Sequence, residues 1–154
     1  MTAMLPAETR SQVNTPLLTK AYEIEGGNFI KAGTASTRIK DLLKEIGIPT
    51  EVIRRAAICI YEAEMNVVMY ARRGVMTLEI HPAEVVVRVE DEGPGIPDIG
   101  LAMQEGYSTA TEAMRESGFG AGMGLPNIKK NSNTFGIHSE VGRGTSLRIG
   151  ITLT

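Results

Sequence analysis

Glu62 and Asn66 stand four residues apart in YEAEMNVVMYA, a spacing that puts a carboxylate and a carboxamide on one face of a helix. A carboxylate in that position can take a proton as a general base, and a carboxamide oxygen can ligate a hard cation. Met69 and Arg73 continue the same face, whereas Ile53, Ile60, Val67 and Ala71 lie opposite and can enter a core. Glu64 is roughly 200° round from Glu62 and falls among the apolar positions, so Glu62 is the better candidate for chemistry. Read alone, however, such a pair is more often a solvated helix pair.

Three glycine-bearing segments add further chemistry. Asp91-Glu92-Gly93-Pro94-Gly95-Ile96 follows an apolar run, where a side chain at a strand end can point into a cleft and glycines let a planar or anionic ligand approach. A Gly-Pro turn explains the same segment equally well, except that a turn does not require Asp91. Gly118-Phe119-Gly120-Ala121-Gly122-Met123-Gly124-Leu125-Pro126-Asn127 places alternating glycines before a helix, whose free N–H groups and dipole can hold phosphates without a basic side chain. Its alternative is a flexible linker. The pattern is not G-x-G-x-x-G, because Met123 occupies the last position, and no G-K-S/T follows. Gly142-Arg143-Gly144-Thr145 reads most simply as a glycine hairpin, although the Thr145 hydroxyl can donate to a phosphate.

The elements that must position these groups are legible in outline. KAYEIE, from Lys20, alternates as a strand and is stopped by Gly26-Gly27. Asn28 is expected to cap a helix carrying Ile30, Ile39, Leu42, Leu43 and Ile46, ended by Gly47. Thr50 is expected to cap a second helix over Glu51 to Arg73, with Gly74 as its C-terminal stop. VMTLEI and VVVRVED form a hairpin around His81-Pro82-Ala83-Glu84, followed by a loop and short helix. A glycine-rich stretch leads to a helix from Leu125 to about Asn131, and the last two strands turn around Gly142-Arg143-Gly144. Residues 1–18 have no sustained period and read as a flexible arm ahead of one domain over 19–154.

At 154 residues the chain suits one compact domain. A net charge of −2 gives no broad electrostatic reason to bind nucleic acid or an anionic membrane, so any anion site is local. One cysteine, Cys59, excludes an internal disulfide, and His81 and His138 cannot build a Cys/His zinc cluster. With no signal-like start and no long apolar run, a soluble cytoplasmic protein is expected.

In order and spacing, Glu62-x-x-x-Asn66, Asp91-x-Gly93-x-Gly95, Gly122-x-Gly124 and Gly142-x-Gly144-Thr145 together resemble the four nucleotide-binding boxes of the Bergerat-fold (GHKL-type) ATPases. Within that superfamily the likeness is greatest to the bacterial anti-sigma regulatory serine/threonine kinases, over about residues 20 to 153. The resemblance implies an α+β fold, a two-layer α/β sandwich whose mixed sheet of about five strands is covered on one face by about three helices. It implies that Asn66 ligates Mg²⁺, that Glu62 activates the attacking hydroxyl, and that Asp91 accepts from the adenine amino group of ATP. Gly93, Gly95 and Ile96 would flank the base. Gly120, Gly122, Met123, Gly124 and Leu125 would wrap the phosphates, and Thr145 would assist. The implied partner is a small regulatory protein of the anti-sigma-antagonist type, with a sigma factor as a further candidate and homodimerisation open. The lid departs from the family pattern, since Ser108 to Ser117 lengthens it and Gly118 and Gly120 extend the glycine pair. A non-catalytic nucleotide-dependent regulator is the alternative to a kinase. A detached histidine-kinase catalytic domain fits less well, because no phospho-acceptor helix is evident and His81 sits in a proline turn.

Overall fold

The computed structural model describes residues 15–105 and 124–154. Most of the expected arm, residues 1–14, lies outside the described residues, as do the lid at 108–117 and the glycines up to Gly122. In chain order the elements are β1 (Leu18–Glu25), α1 (Thr34–Glu45), α2 (Thr50–Tyr70), β2 (Arg73–Ile80), β3 (Glu84–Asp91), α3 (Ile99–Ala102), α4 (Gly124–Asn131), β4 (Thr134–Glu140) and β5 (Gly144–Thr152).

The strands form one sheet in the order β1-β2-β3-β5-β4. Every ladder is antiparallel, which corrects the mixed sheet expected from the resemblance. β3 and β4 do run the same way, but β5 lies between them and pairs with both, so no parallel ladder forms. Strand alternation sorts the sheet into two faces. Met76, Leu78, Val87, Val89, Leu147 and Ile149 turn one face into the core, and α2 lies across β1, β2, β3 and β5 on that side. α1 packs on α2 and β1, and α4 packs on α2 and β4. Ile39 and Leu43 of α1 are completely buried, and each such side chain contributes about 1.5–3 kcal/mol.

The core-facing rows change character at one end of the sheet. Val89 lies opposite Leu147, which lies opposite Ile137, all three apolar. Two residues further along each strand, on the same face, stand Asp91, Thr145 and Ser139, with Thr145 directly opposite Ser139. This polar row closes the core and opens the candidate site.

Two helices differ from expectation at their ends. Helix α1 begins at Thr34, not next to Asn28. The Asn28 side chain instead accepts the Lys31 N–H at 3.2 Å and donates to Glu25 at 3.0 Å, forming a turn, and Ile30 is 97% exposed. Gly33 takes a left-handed φ of 94°, and the buried Glu64 of α2 supplies the missing cap. Its carboxylate accepts from the N–H groups of Gly33 at 3.0 Å, Ala35 at 3.3 Å and Ser36 at 2.8 Å, and from the Ser36 hydroxyl. A negative charge at a helix N-terminus also suits the dipole. Helix α2 starts at Thr50 with Pro49 as its cap residue, and it stops at Tyr70 because Ala71 is extended. Arg73 and Gly74 already belong to the ladder with β1, opposite Glu25 and Ile24.

Candidate functional site

Two groups of residues lie at the C-terminal half of α2. Glu62 and Asn66 occupy successive turns of α2, facing the start of α4. A Cβ added to Gly124, the first residue of α4, would sit 3.3 Å from both the Glu62 Oε2 and the Asn66 Oδ1. Glycine there lets the helix N-terminus close onto the two polar groups. Asn127, one turn into α4, hydrogen-bonds the Glu62 side chain. Burial pushes the Glu62 carboxyl above its ordinary range, and the Asn127 bond opposes that shift only in part. The result is a carboxylate held near a helix N-terminus with a raised proton affinity, which suits a general base.

The second group centres on Asp91 at the end of β3. Its Oδ1 accepts the Thr145 N–H at 3.0 Å, and the Gly93 backbone N–H also interacts with its carboxylate. Burial nevertheless pushes the Asp91 carboxyl upward. The loop from Gly93 to Ile96 is stitched to the β4–β5 hairpin. Gly142 donates to the Pro94 carbonyl at 2.8 Å, and Ile96 donates to the Ser139 hydroxyl at 2.7 Å. Gly95 has a φ of 78°, and a Cβ there would lie 2.5 Å from the Glu140 carbonyl oxygen, so a side chain is excluded twice over. Gly93 packs against Ala71, just beyond α2, where a Cβ would come within 3.2 Å of the Ala71 Cα. From Asn66 to Tyr70, the last helical residue before Ala71, the helix advances roughly 6 Å at 1.5 Å per residue, so both groups border the C-terminal end of α2.

The structure thus brings together Glu62, Asn66 and Gly124 on one side, and Asp91, Gly93, Gly95, Ile96 and Thr145 on the other. Gly120, Gly122 and Met123 lie outside the described residues. The Leu125 side chain is 8% exposed and belongs to the core, which leaves its backbone for a ligand. Ile96 likewise packs its side chain against the core while its N–H is taken by Ser139. Ser139 and Asn127 are polar partners of the site to which the sequence reading gave no role. Ser139 had a signal: in TFGIHSE it continues the alternation of Phe135 and Ile137, a polar residue in an apolar phase.

Among the described residues no group of three or more His, Cys, Asp or Glu side chains could hold a metal ion. A Mg²⁺ ion would fit by another route, since it commonly takes one or two protein oxygens and completes its shell with water and phosphate oxygens. The Asn66 Oδ1, beside the α4 N-terminus, is a suitable oxygen. Cys59 has no part in this chemistry: it is buried in α2, 3.5 Å from the Ile128 carbonyl, and burial pushes its thiol up to about 12.

With a carboxylate and a carboxamide against a glycine-started helix, and a strand-end aspartate across from them, a nucleotide-binding lineage is the question to settle. The family model described as histidine kinase-, DNA gyrase B-, and HSP90-like ATPase matches residues 51–154. The chain belongs to this ATPase family. The matched span takes in every one of the site residues named above. Among curated proteins, this ATPase-family chain is 34% identical over 113 residues to the serine/threonine-protein kinase RsbT of Bacillus subtilis, covering 71% of this chain and 79% of that one. It is 27% identical over 145 residues to the anti-sigma F factor of Caldanaerobacter subterraneus subsp. tengcongensis, covering 92% and 94%. Among solved structures, the crystal structure of the SiaB-SiaC complex from Pseudomonas aeruginosa contains a chain with the same fold. That match has a TM-score of 0.60 at 14% identity and covers 97% of this chain and 96% of that one. No helix among the described residues is long and apolar enough to cross a membrane.

Proposed function

We propose that this ATPase-family chain is an ATP-dependent protein serine/threonine kinase acting on a small regulatory protein of the anti-sigma-antagonist type. The observation that carries the reading is the placement of the Glu62 carboxylate and the Asn66 carboxamide together against Gly124 at the start of α4. Bound Mg²⁺ would neutralise phosphate charge during transfer. Asn66 would hold that ion, and the N–H groups at the start of α4 would receive phosphate oxygens. Glu62, with its raised proton affinity, would take the proton of a serine or threonine hydroxyl presented by the partner. Asp91, its Oδ1 held by the Thr145 N–H, would accept from an exocyclic amine and so select adenine. The similarity to RsbT supports the kinase chemistry, and the similarity to an anti-sigma F factor supports a second activity, nucleotide-dependent binding of a sigma factor.

Incubation with Mg²⁺, γ-labelled ATP and candidate partner domains tests the proposal. Label on a partner serine or threonine, stable to acid, is the expected result. Absence of transfer to every partner that the ATP-loaded chain binds would leave binding without catalysis as its activity.

A further inference from the structure

The polar row at the end of the core-facing sheet contains one residue to which the proposed function gives no task. Ser139, on β4, bridges the loop after β3 and the start of β5: it accepts the Ile96 N–H at 2.7 Å, lies 2.9 Å from the Thr145 Oγ1 and lies 3.2 Å from the Gly144 carbonyl. A hydroxyl has one hydrogen to give. If Ser139 gives it to Thr145, the Thr145 hydroxyl keeps its own hydrogen for a ligand. If Ser139 gives it to Gly144, Thr145 must donate back to Ser139 and can only accept from a ligand. The contact to Thr145 is the shorter, and the Gly144 carbonyl is the longer and weaker acceptor.

We infer that Ser139 is a positioning residue that sets base selectivity by fixing the direction of the Thr145 hydroxyl. The inference rests on the adenine reading of Asp91 and deepens it. With the Ser139 hydrogen on Thr145, the row presents a carboxylate acceptor at Asp91 beside a hydroxyl donor at Thr145. That is the complement of adenine, whose amino group donates and whose N1 accepts. A 6-oxopurine reverses both groups, since its carbonyl accepts and its N1–H donates. The row therefore discriminates by two mismatches rather than one, and each unpaired group in this half-buried row is costly. Ser139 also ties the loop to β4 through the Ile96 N–H.

The test compares ATP with inosine triphosphate, which differs only at these two positions, on the full-length chain. Ser139→Thr keeps a hydroxyl, and Ser139→Val has nearly the same shape without one. Wild type and Ser139→Thr are expected to prefer ATP strongly in calorimetric titrations. In Ser139→Val, ATP affinity should fall about tenfold while inosine triphosphate affinity changes by less than about threefold, because Thr145 is then free to turn and accept the N1–H. A purely structural role would weaken both nucleotides alike, so equal losses would overturn the inference, as would an unchanged ratio in Ser139→Val. Ser139→Ala gives the same comparison without added bulk if the valine variant fails to fold. A wild type that binds both nucleotides equally would instead overturn the adenine reading itself.

Discussion

Glu64 caps a helix to which it does not belong: its carboxylate, on α2, accepts from the backbone and hydroxyl of Ser36 at the start of α1. With Gly33 and Ala35 also donating to it, the buried carboxylate is satisfied by three orphan N–H groups of a helix end and one hydroxyl. Glu62, two residues earlier on α2, faces the other way, toward α4. One helix thus carries a carboxylate that holds the fold and another that is available for chemistry.

The first prediction follows from that division. Glu64→Ala should destabilise the chain by about 3 kcal/mol, since it leaves one buried and three part-buried donors without their acceptor, and Glu64→Gln by about half as much. Urea unfolding measures both. Nucleotide affinity of the folded variants should be close to wild type, and a Glu64→Ala variant as stable as wild type would mean that α1 has another cap.

Asp91 provides the second. Asp91→Asn keeps an oxygen for the Thr145 N–H but turns an amide toward the base, so ATP affinity should fall roughly 10- to 100-fold. GTP should bind poorly to wild type. Unchanged ATP affinity in a calorimetric titration would remove Asp91 from base recognition.

The third concerns pH. Burial raises the folded-state pKa of Glu62 above its unfolded value, despite the Asn127 bond. A base works only when ionised, so kcat/KM toward the partner at saturating ATP should fall with acidification along a limb lying above the ordinary value of about 4.3. The stability linked to neutral Glu62 has the opposite sense. It is fully present below the unfolded pKa and lost as pH rises through the folded one. Glu62→Gln should flatten that slope in urea titrations across pH, and an identical slope in the variant would contradict the shift.

How much of this was legible in the sequence varies with the distance over which each contact acts. The alternation of VVVRVED places Asp91 at a strand end, and the i, i+4 spacing places Glu62 and Asn66 on one face, because both patterns are local. Glu64 was legible as a misfit on the apolar side of α2, but its partners lie 28 to 31 residues away on another element. For the same reason Asn28 looked like a cap, when Gly33 and a distant carboxylate share that role. Gly74 resembled a helix stop, yet Ala71 is already extended and Arg73 pairs with β1. The antiparallel sheet depends on β5 entering between β3 and β4, an order that no local pattern encodes.

The central claim is that Glu62 and Asn66, neighbours on one helix face, serve different steps. It is tested most directly by measuring ATP affinity with Mg²⁺ and single-turnover phosphate transfer to the partner domain in wild type, Glu62→Gln and Asn66→Ala. Asn66→Ala should lose the benefit of Mg²⁺ to binding and abolish transfer together. Glu62→Gln should bind ATP about as tightly as wild type while transfer falls by roughly 10² or more. Transfer at the wild-type rate in Glu62→Gln, with the partner still bound, would contradict the account.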